Sequence, residues 1–301
     1  MKSILCPICR KKTEPELLGL EAYRHCQHCQ MGWLKKFPKT KYKNTYYKGT
    51  SNISSFIFSY IAAFFYFLRK QYSGKKLIEL WIDIGAGDGG FLKAVNAKEK
   101  IGVEISLSGR KIMKTKGLNV LSDKEFLKKS DLNADCISYW HVLEHVEAPW
   151  IYLRAGERNL SKEGKIIIGI PNINSFDFHY FRSCWFHLAP KYHLWQFSPK
   201  AIELLLSRSG FMVDSIDYWS LEHHITGILQ SFINKTAGSD SVLHGLVKRG
   251  LDYSPGFKDI FWSVFWLTFG FPIVFFFWLI NSVSKKSGAI VVVARKADYS
   301  R

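Results

Sequence analysis

The chain has few cysteines, few acids and few long apolar runs, and each scarcity excludes something. Six cysteines in 301 residues are too sparse for a small disulfide-stapled secreted domain. Only residues 260–284 are both uncharged and long enough to cross a bilayer, which excludes a polytopic membrane protein. No apolar h-region precedes the first cysteine, so no secretory leader is expected there. Internal repeats and low-complexity tracts are missing too. What is there excludes disorder: 47% of the residues are hydrophobic and 16% aromatic. The 25 acids face 42 Lys and Arg, a formal net charge of +17. Such an excess needs an anionic counterpart, and nucleic acid, an anionic membrane surface or an anionic substrate would each serve. The length suits about two domains.

Four of the cysteines form two Cys-x-x-Cys pairs, Cys6/Cys9 and Cys26/Cys29, with sixteen residues between the pairs. That spacing matches a four-thiolate zinc site. With all four positions filled by cysteine no coordination site stays open, so the zinc is expected to be structural. The redox reading is weaker, because no βαβ pattern surrounds either pair. Cys136 and Cys184 stay unpaired, which suits a reducing compartment. His25 and His28 are the substitute ligands, read as surface residues.

Residues 77–218 alternate short apolar runs with helical patterns, as βαβ units do. Strands are expected at 77–84, 101–105, 119–121, 136–140, 165–170, 211–218 and 289–295, and a helix at 200–209. Five segments follow: 1–45 as a zinc ribbon, 46–76 as an apolar and aromatic lid or membrane-surface helix, 77–219 as the core, 220–288 as an insertion, and 289–301 as the last core strand and tail.

The chemistry starts at Asp83-Ile-Gly85-Ala86-Gly87-Asp-Gly-Gly90, after a strand and before a helix. Glycines let the backbone turn sharply and approach a ligand closely, and the helix N-terminus adds positive potential. Gly85, Gly87 and Gly90 satisfy G-x-G-x-x-G, so a dinucleotide must be weighed. Asp83, two residues before the first glycine, instead suits a cationic or amine group. Glu104 ends the next strand, where ribose hydroxyls would lie in either case.

These motifs together resemble the class I S-adenosylmethionine-dependent methyltransferases. Asp83-Ile-Gly85-Ala-Gly87, Gly102-Val-Glu104 and His141-Val-Leu-Glu144-His145 carry the resemblance. It continues in 160–172, in His193-Leu-Trp-Gln-Phe197-Ser198 and in 204–211. The nearest group contains ubiquinone-biosynthesis and glycan-cluster enzymes. A subset opens with a zinc ribbon and a Tyr-Tyr, matched here by Cys6 to Cys29 and by Tyr46-Tyr47. The resemblance implies an α/β, Rossmann-like seven-stranded methyltransferase sheet. An N-terminal zinc ribbon and an apolar helical-hairpin insertion before the last strand complete the expected fold. It implies S-adenosylmethionine as cofactor. Gly85, Ala86 and Gly87 would pass under its amino-acid part, with Asp83 near its amine or a water. Glu104 would take its ribose hydroxyls, and Asp123 would face its adenine. The last strand would insert, antiparallel, beside 211–218.

Methyl transfer from a sulfonium is an in-line displacement, so the protein must align the acceptor and take its proton. His141 and His145 flank a strand end on the ligand-binding edge, and the resemblance puts His193 in the segment roofing the pocket. These three are the candidate bases; a mechanism by positioning alone stays open. The Asn/Asp-Pro-Pro-Tyr/Phe signature of many amino-methylating enzymes is absent, which disfavours exocyclic amines of nucleic-acid bases.

Residues 260–284 hold ten Phe or Trp among 25 residues. One helix of that length would span roughly 37 Å, yet the flanking strands belong to one sheet and the chain must return. Gly270 and Pro272 break the run, so a re-entrant or in-plane hairpin is expected. Arg249, Lys258, Lys285 and Lys286 flank it, suited to anionic headgroups. A dimer interface is the competing reading. Residues 53–68, uncharged and followed by Arg69-Lys70, suit a lid or a membrane surface equally. The function expected is O-methylation of a lipid-linked or amphipathic acceptor at the cytoplasmic face of a membrane. An RNA methyltransferase with a zinc-ribbon substrate module, and a non-enzymatic scaffold, are the alternatives.

Overall fold

The computed structural model describes residues 4–38, 53–74, 77–238 and 256–298. Tyr46, Tyr47 and Arg249 lie outside them. The strands are β1 (Tyr23–Cys26), β2 (Met31–Leu34), β3 (Ile78–Ile84), β4 (Ala97–Val103), β5 (Asn119–Leu121), β6 (Ala134–Trp140), β7 (Leu160–Pro171), β8 (Trp195–Gln196), β9 (Phe211–Asp217) and β10 (Ala289–Lys296). The helices are α1 (Ile53–Lys70), α2 (Gly90–Ala94), α3 (Leu107–Thr115), α4 (Asp123–Lys128), α5 (Pro149–Asn159), α6 (Phe176–Phe181), α7 (Pro199–Arg208), α8 (Leu221–Ala237), α9 (Phe257–Thr268) and α10 (Phe271–Val283). Two compact units result. One gathers Met1–Pro38, Pro171–Ile202 and Asp217–Val291; the other gathers Lys39–Ile170, Glu203–Ile216 and Val292–Arg301.

The second unit is built on a seven-stranded sheet of order β5-β4-β3-β6-β7-β10-β9. The β3–β4, β4–β5, β3–β6 and β6–β7 pairings are parallel. Parallel strands covered on both faces read as unbroken apolar runs, and Ile166, Ile167, Ile168 and Ile170 are fully buried. Chain order reverses between β3 and β6, the switch point where such sheets bind ligands at their carboxyl ends. β4 begins four residues before its expected start. Its polar first half pairs with β3 (Ile78↔Ala97, Leu80↔Glu99), and Lys98 bridges Glu79 at 2.8 Å. Cross-strand pairing of this kind leaves no apolar signature. β10 takes the expected place between β7 and β9.

The other unit starts from a small antiparallel ribbon. β1 pairs with β2 from Tyr23↔Leu34 to Cys26↔Met31. β8 adds a third strand (Gly32↔Gln196, Trp33↔Trp195). A Cβ at Gly32 would lie 2.8 Å from the Leu17 side-chain tip and 3.3 Å from the Gln196 Cβ, so Leu17 would have to shift to admit one. The Tyr23 hydroxyl donates to the Leu188 carbonyl (3.1 Å), and Ser198 Oγ donates to the Cys29 carbonyl (2.6 Å). The His193-to-Ser198 motif is therefore stitched to the cysteine ribbon, a long-range pairing that no local pattern announces.

Helices α6, α8, α9 and α10 pack together in this unit. The expected hairpin at 260–284 is an elbow: α9 and α10 meet at a 66° bend. Phe269 N–H and Gly270 N–H both bond the Phe265 carbonyl, closing α9, and proline in the first turn of α10 restarts the helix. The Trp266 ring lies against Gly270 where a side chain would sit. A bend of this size falls well short of a chain reversal. No single described helix is long and apolar enough to cross a membrane; only the bent pair passes together. The elbow's inner face packs on α8, with Trp266 stacked on Phe232 (4.2 Å between centroids). A buried polar clasp fixes it: Asp177 of α6 accepts from Asn281 of α10 and lies 3.3 Å from His224 of α8. Burial pushes the Asp177 carboxyl upward, against the pull of His224 and Asn281.

Candidate functional site

Of the site residues expected from sequence, Asp83, Gly85, Ala86, Gly87, Glu104, His141 and His145 fall at or just past the carboxyl ends of β3, β4 and β6; Asp123 follows β5, and His193 lies in the other unit. Asp83 and Glu104 are 4% and 5% exposed. Between them the chain turns through Gly85 (φ 71°), Gly87 (φ 62°) and Gly89 (φ 77°), all in the left-handed region that glycine tolerates. The N–H groups of Gly85 and Ala86 both bond the Val103 carbonyl (2.8 and 3.0 Å), which holds the loop against β4. Glu104 closes it. One carboxylate oxygen accepts from Gly87 N–H at 2.9 Å and the other from Ser106 N–H at 2.8 Å.

Sequence reading missed three parts of this cradle. Gly109, in the first turn of α3, leaves room that a Cβ would take from the Gly87 carbonyl and from Glu104. Ser138 of β6 donates to Asp83 at 2.6 Å. Arg69, at the end of α1, stands 4.9 Å from the Trp140 ring centroid and 5.8 Å from that of Phe91, and its charge acts on Asp83. The one available signal for Arg69 was its place as the first charge after a long uncharged run.

Burial pushes the Asp83 carboxyl up to about 7; Ser138 and Arg69 pull it down, and the neighbouring Glu104 adds to the rise. Glu104 is also raised by burial, with the Ser106 and Gly87 N–H groups opposing. Asp123 opens α4 behind the N-cap Ser122, and its carboxylate shares a hydrogen bond with Tyr152, whose hydroxyl is pushed up to about 12, chiefly by burial.

His141 directly follows β6. Its N–H bonds the Gly169 carbonyl (2.9 Å), yet its φ is 54°, an unusual conformation for a side-chain-bearing residue. Nδ1 lies 3.0 Å from the buried Glu144 carboxylate. His145 N–H bonds the Val142 carbonyl, which makes 142–145 a tight turn. His193 belongs to the other unit, is buried, and sets Nδ1 2.7 Å from the His187 carbonyl.

The four ribbon cysteines are buried and unpaired by disulfides. Their sulfurs lie within 4.8 Å of one another, with Cys6–Cys29 at 3.6 Å and Cys9–Cys26 at 3.4 Å. Each pair ends in the same left-handed turn, at Arg10 (φ 63°) and Gln30 (φ 56°). The contact with Cys29 pulls the Cys6 thiol down to about 5, while Cys29 is pushed up. His25 and His28 stand outside this group of four.

The raised Asp83 carboxyl has a consequence for stability. The fold holds a proton there that the unfolded chain releases near 3.8. This contribution is fully present below about pH 3.8 and is lost as pH rises through about 7. Asp83→Asn is therefore expected to flatten that pH dependence. Relative to wild type the variant should gain on the order of 4 kcal/mol between the two limits, read by urea unfolding across pH. A variant that loses stability at neutral pH would contradict this account.

A model of the methyltransferase domain family matches residues 54–216, more than half of the chain. An uncharacterized protein of Methanocaldococcus jannaschii is 40% identical over 96 residues, 32% of this chain and 46% of that protein. The chain thus spans about half the length of this curated relative. The S-adenosyl-L-methionine complex of phosphoethanolamine N-methyltransferase 2 from Haemonchus contortus aligns with a TM-score of 0.50 at 15% identity, over 87% of this chain and 62% of that one. A SAM-dependent methyltransferase from Archaeoglobus fulgidus aligns with a TM-score of 0.43 at 17% identity, over 81% and 93%. The family match covers the sheet from its first strand to β9 and includes the whole glycine cradle; the chain belongs to the class I S-adenosylmethionine-dependent methyltransferase domain family.

Proposed function

We propose that the protein O-methylates an amphipathic or lipid-linked acceptor, such as a glycan lipid or a polyprenylated phenol, at the cytoplasmic face of a membrane. The observation that carries the cofactor half is the pair of buried carboxylates, Asp83 and Glu104, bracketing a left-handed glycine loop. S-adenosylmethionine supplies the electrophilic methyl group when bound. Asp83 would hold its amine, Gly85, Ala86 and Gly87 would leave room beneath it, and Glu104 would take its ribose hydroxyls. The Glu104 carboxylate accepts from the Gly87 and Ser106 N–H groups and from the Ser106 hydroxyl, and two oxygens offer about four acceptor positions in all. Asp123 is the adenine-side acid.

His141 is the base we assign. With Nδ1–H given to Glu144, the lone pair sits on Nε2, which would take the acceptor's hydroxyl proton as that oxygen gains the methyl group, the sulfonium S–C bond breaking and the thioether leaving neutral. The test is transfer of labelled methyl from S-adenosylmethionine in the presence of a membrane lipid extract. A lipid-soluble product is expected. His141→Ala should lower kcat about 100-fold with cofactor affinity unchanged, while His145→Ala and His193→Ala cost less. Label confined to RNA would replace this reading with the RNA methyltransferase, and an absence of cofactor binding would replace it with the scaffold.

The membrane half rests on the elbow's outer face. Phe257, Phe261, Val264, Phe269, Phe276 and Val283 are all more than half exposed. A contiguous apolar surface of this kind marks an interaction site, and short amphipathic helices lie in the bilayer interface. Lys258 and Lys285 sit exposed at its two ends, where anionic headgroups would meet them. The full chain is expected to sediment with anionic vesicles. Phe261→Glu with Phe276→Glu should release it without lowering its thermal stability, since both side chains point outward. Failure of the wild-type chain to sediment would turn the face into a protein interface.

The ribbon holds a structural zinc in this reading. A tetrahedron with Zn–S bonds of about 2.3 Å has edges of about 3.8 Å, close to the sulfur separations described. Native mass spectrometry should find one zinc per chain, and Cys26→Ser should remove it and open the ribbon to proteolysis. A fully folded, protease-resistant ribbon after chelation would reject the metal.

A further inference from the structure

We infer that Ser138 and Trp81 form a buried positioning relay that fixes the orientation and charge of Asp83 and thereby sets the pH range of cofactor binding. The inference rests on the reading of Asp83 as partner of the cofactor's amine. It starts from register. β3 and β6 run parallel with Asp83 opposite Ser138 and Trp81 opposite Cys136. Residues paired in this way point to the same face of the sheet, as do Trp81 and Asp83, two apart on one strand. The three side chains are thus neighbours by construction, and each is at most 4% exposed.

The direction of the first link in the chain of hydrogen bonds is fixed by chemistry. An indole nitrogen donates and never accepts. Trp81 Nε1–H lies 2.9 Å from Ser138 Oγ, so it occupies an acceptor position of that oxygen. The single hydroxyl proton is then left to Asp83 Oδ1, 2.6 Å away. Toward the ionised Asp83, Oδ1 is therefore the acceptor of the serine hydroxyl. Hydrogen bonds in such a row polarise one another. The bond is worth most to the ionised carboxylate, which is the form an ammonium group needs.

The relay competes with burial. Burial favours the neutral acid and places Asp83 at about 7 even with the serine in place. The other charges acting on it are Arg69 of α1, which favours the anion, and Glu104, just past β4, which disfavours it. The Cys136 thiol on β6 is held well above its ordinary value, chiefly by burial, and adds no charge at neutral pH. Ser138 is thus the one uncharged group among these that favours the anion, and it does so through a fixed hydroxyl. Glu104 is held by the Ser106 and Gly87 N–H groups, with the Ser106 hydroxyl and the Arg110 charge adding to them.

The test uses the full chain and two separate readouts. Carboxyl carbon NMR of the cofactor-free protein gives the Asp83 midpoint, and calorimetry gives S-adenosylmethionine affinity across pH. Ser138→Ala should raise the midpoint by about one pH unit. Affinity near neutral pH should fall about tenfold and recover at higher pH. Trp81→Phe should move both in the same sense by a smaller amount, and Ser138→Thr should restore them. A midpoint that stays put in Ser138→Ala overturns the relay, as does one that stays put in Trp81→Phe. Should Ser138→Ala fail to fold, Trp81→Phe decides alone. Midpoints that move while the wild-type chain binds no cofactor would leave the relay standing and overturn the cofactor reading instead.

Discussion

Two carboxylates have to be kept out of water side by side, and much of the second unit is arranged around that constraint. Isolated buried charges are costly, and adjacent ones of like sign more so. The structure meets the cost locally. Glu104 receives two backbone N–H groups, Asp83 receives a serine hydroxyl, and Arg69 brings a compensating charge from a helix outside the sheet. The glycines follow from the same demand. Gly87 can turn its N–H onto Glu104 because its φ is positive, and Gly109 lets α3 approach closely enough for Ser106 to cap that helix. A site assembled this way is pre-formed, with its donors committed before any ligand arrives.

The parts of this arrangement that lie within one stretch of chain were legible in the sequence. The glycine loop, the acid before it and the acid ending the next strand each carry a local signature, and β3, β5 and β6 read as short apolar runs. The parts that depend on register were not legible. Ser138 is an ordinary strand serine until β6 is set beside β3. Gly109 looks like a poor helix residue until the Gly87 carbonyl is found against it. The early start of β4 was hidden because its first residues are held by cross-strand pairing with no apolar face to mark them.

The ribbon tells a similar story in the other unit. Its cysteine spacing pointed to four converging thiols, and the sulfurs do converge. The third strand, contributed by Trp195 and Gln196, could not be foreseen, because more than 160 residues separate it from its partner in the chain. Gln196 Nε2 bonds the Leu188 carbonyl at 2.8 Å, so the residues of the His193-to-Ser198 motif serve the ribbon's architecture as well as any role in the reaction.

The aromatic elbow reads in sequence as an appendage, a greasy loop added between two strands. The clasp beneath it gives it a different status. Asp177 receives Asn281 from the elbow, and Gly288, at the chain's return, leaves no space for a side chain beside the same carboxylate. Trp266 and Phe277 fill the ground between α8 and the elbow. Take the elbow away and a carboxylate, a histidine and a row of rings would face water. The segment is therefore a keystone with one painted side. Its inner face belongs to the interior that it helps to close, and only its outer face is free to be rewritten. Variation in this region should accordingly split by helical position, fixed on one side of the same helix and permissive on the other.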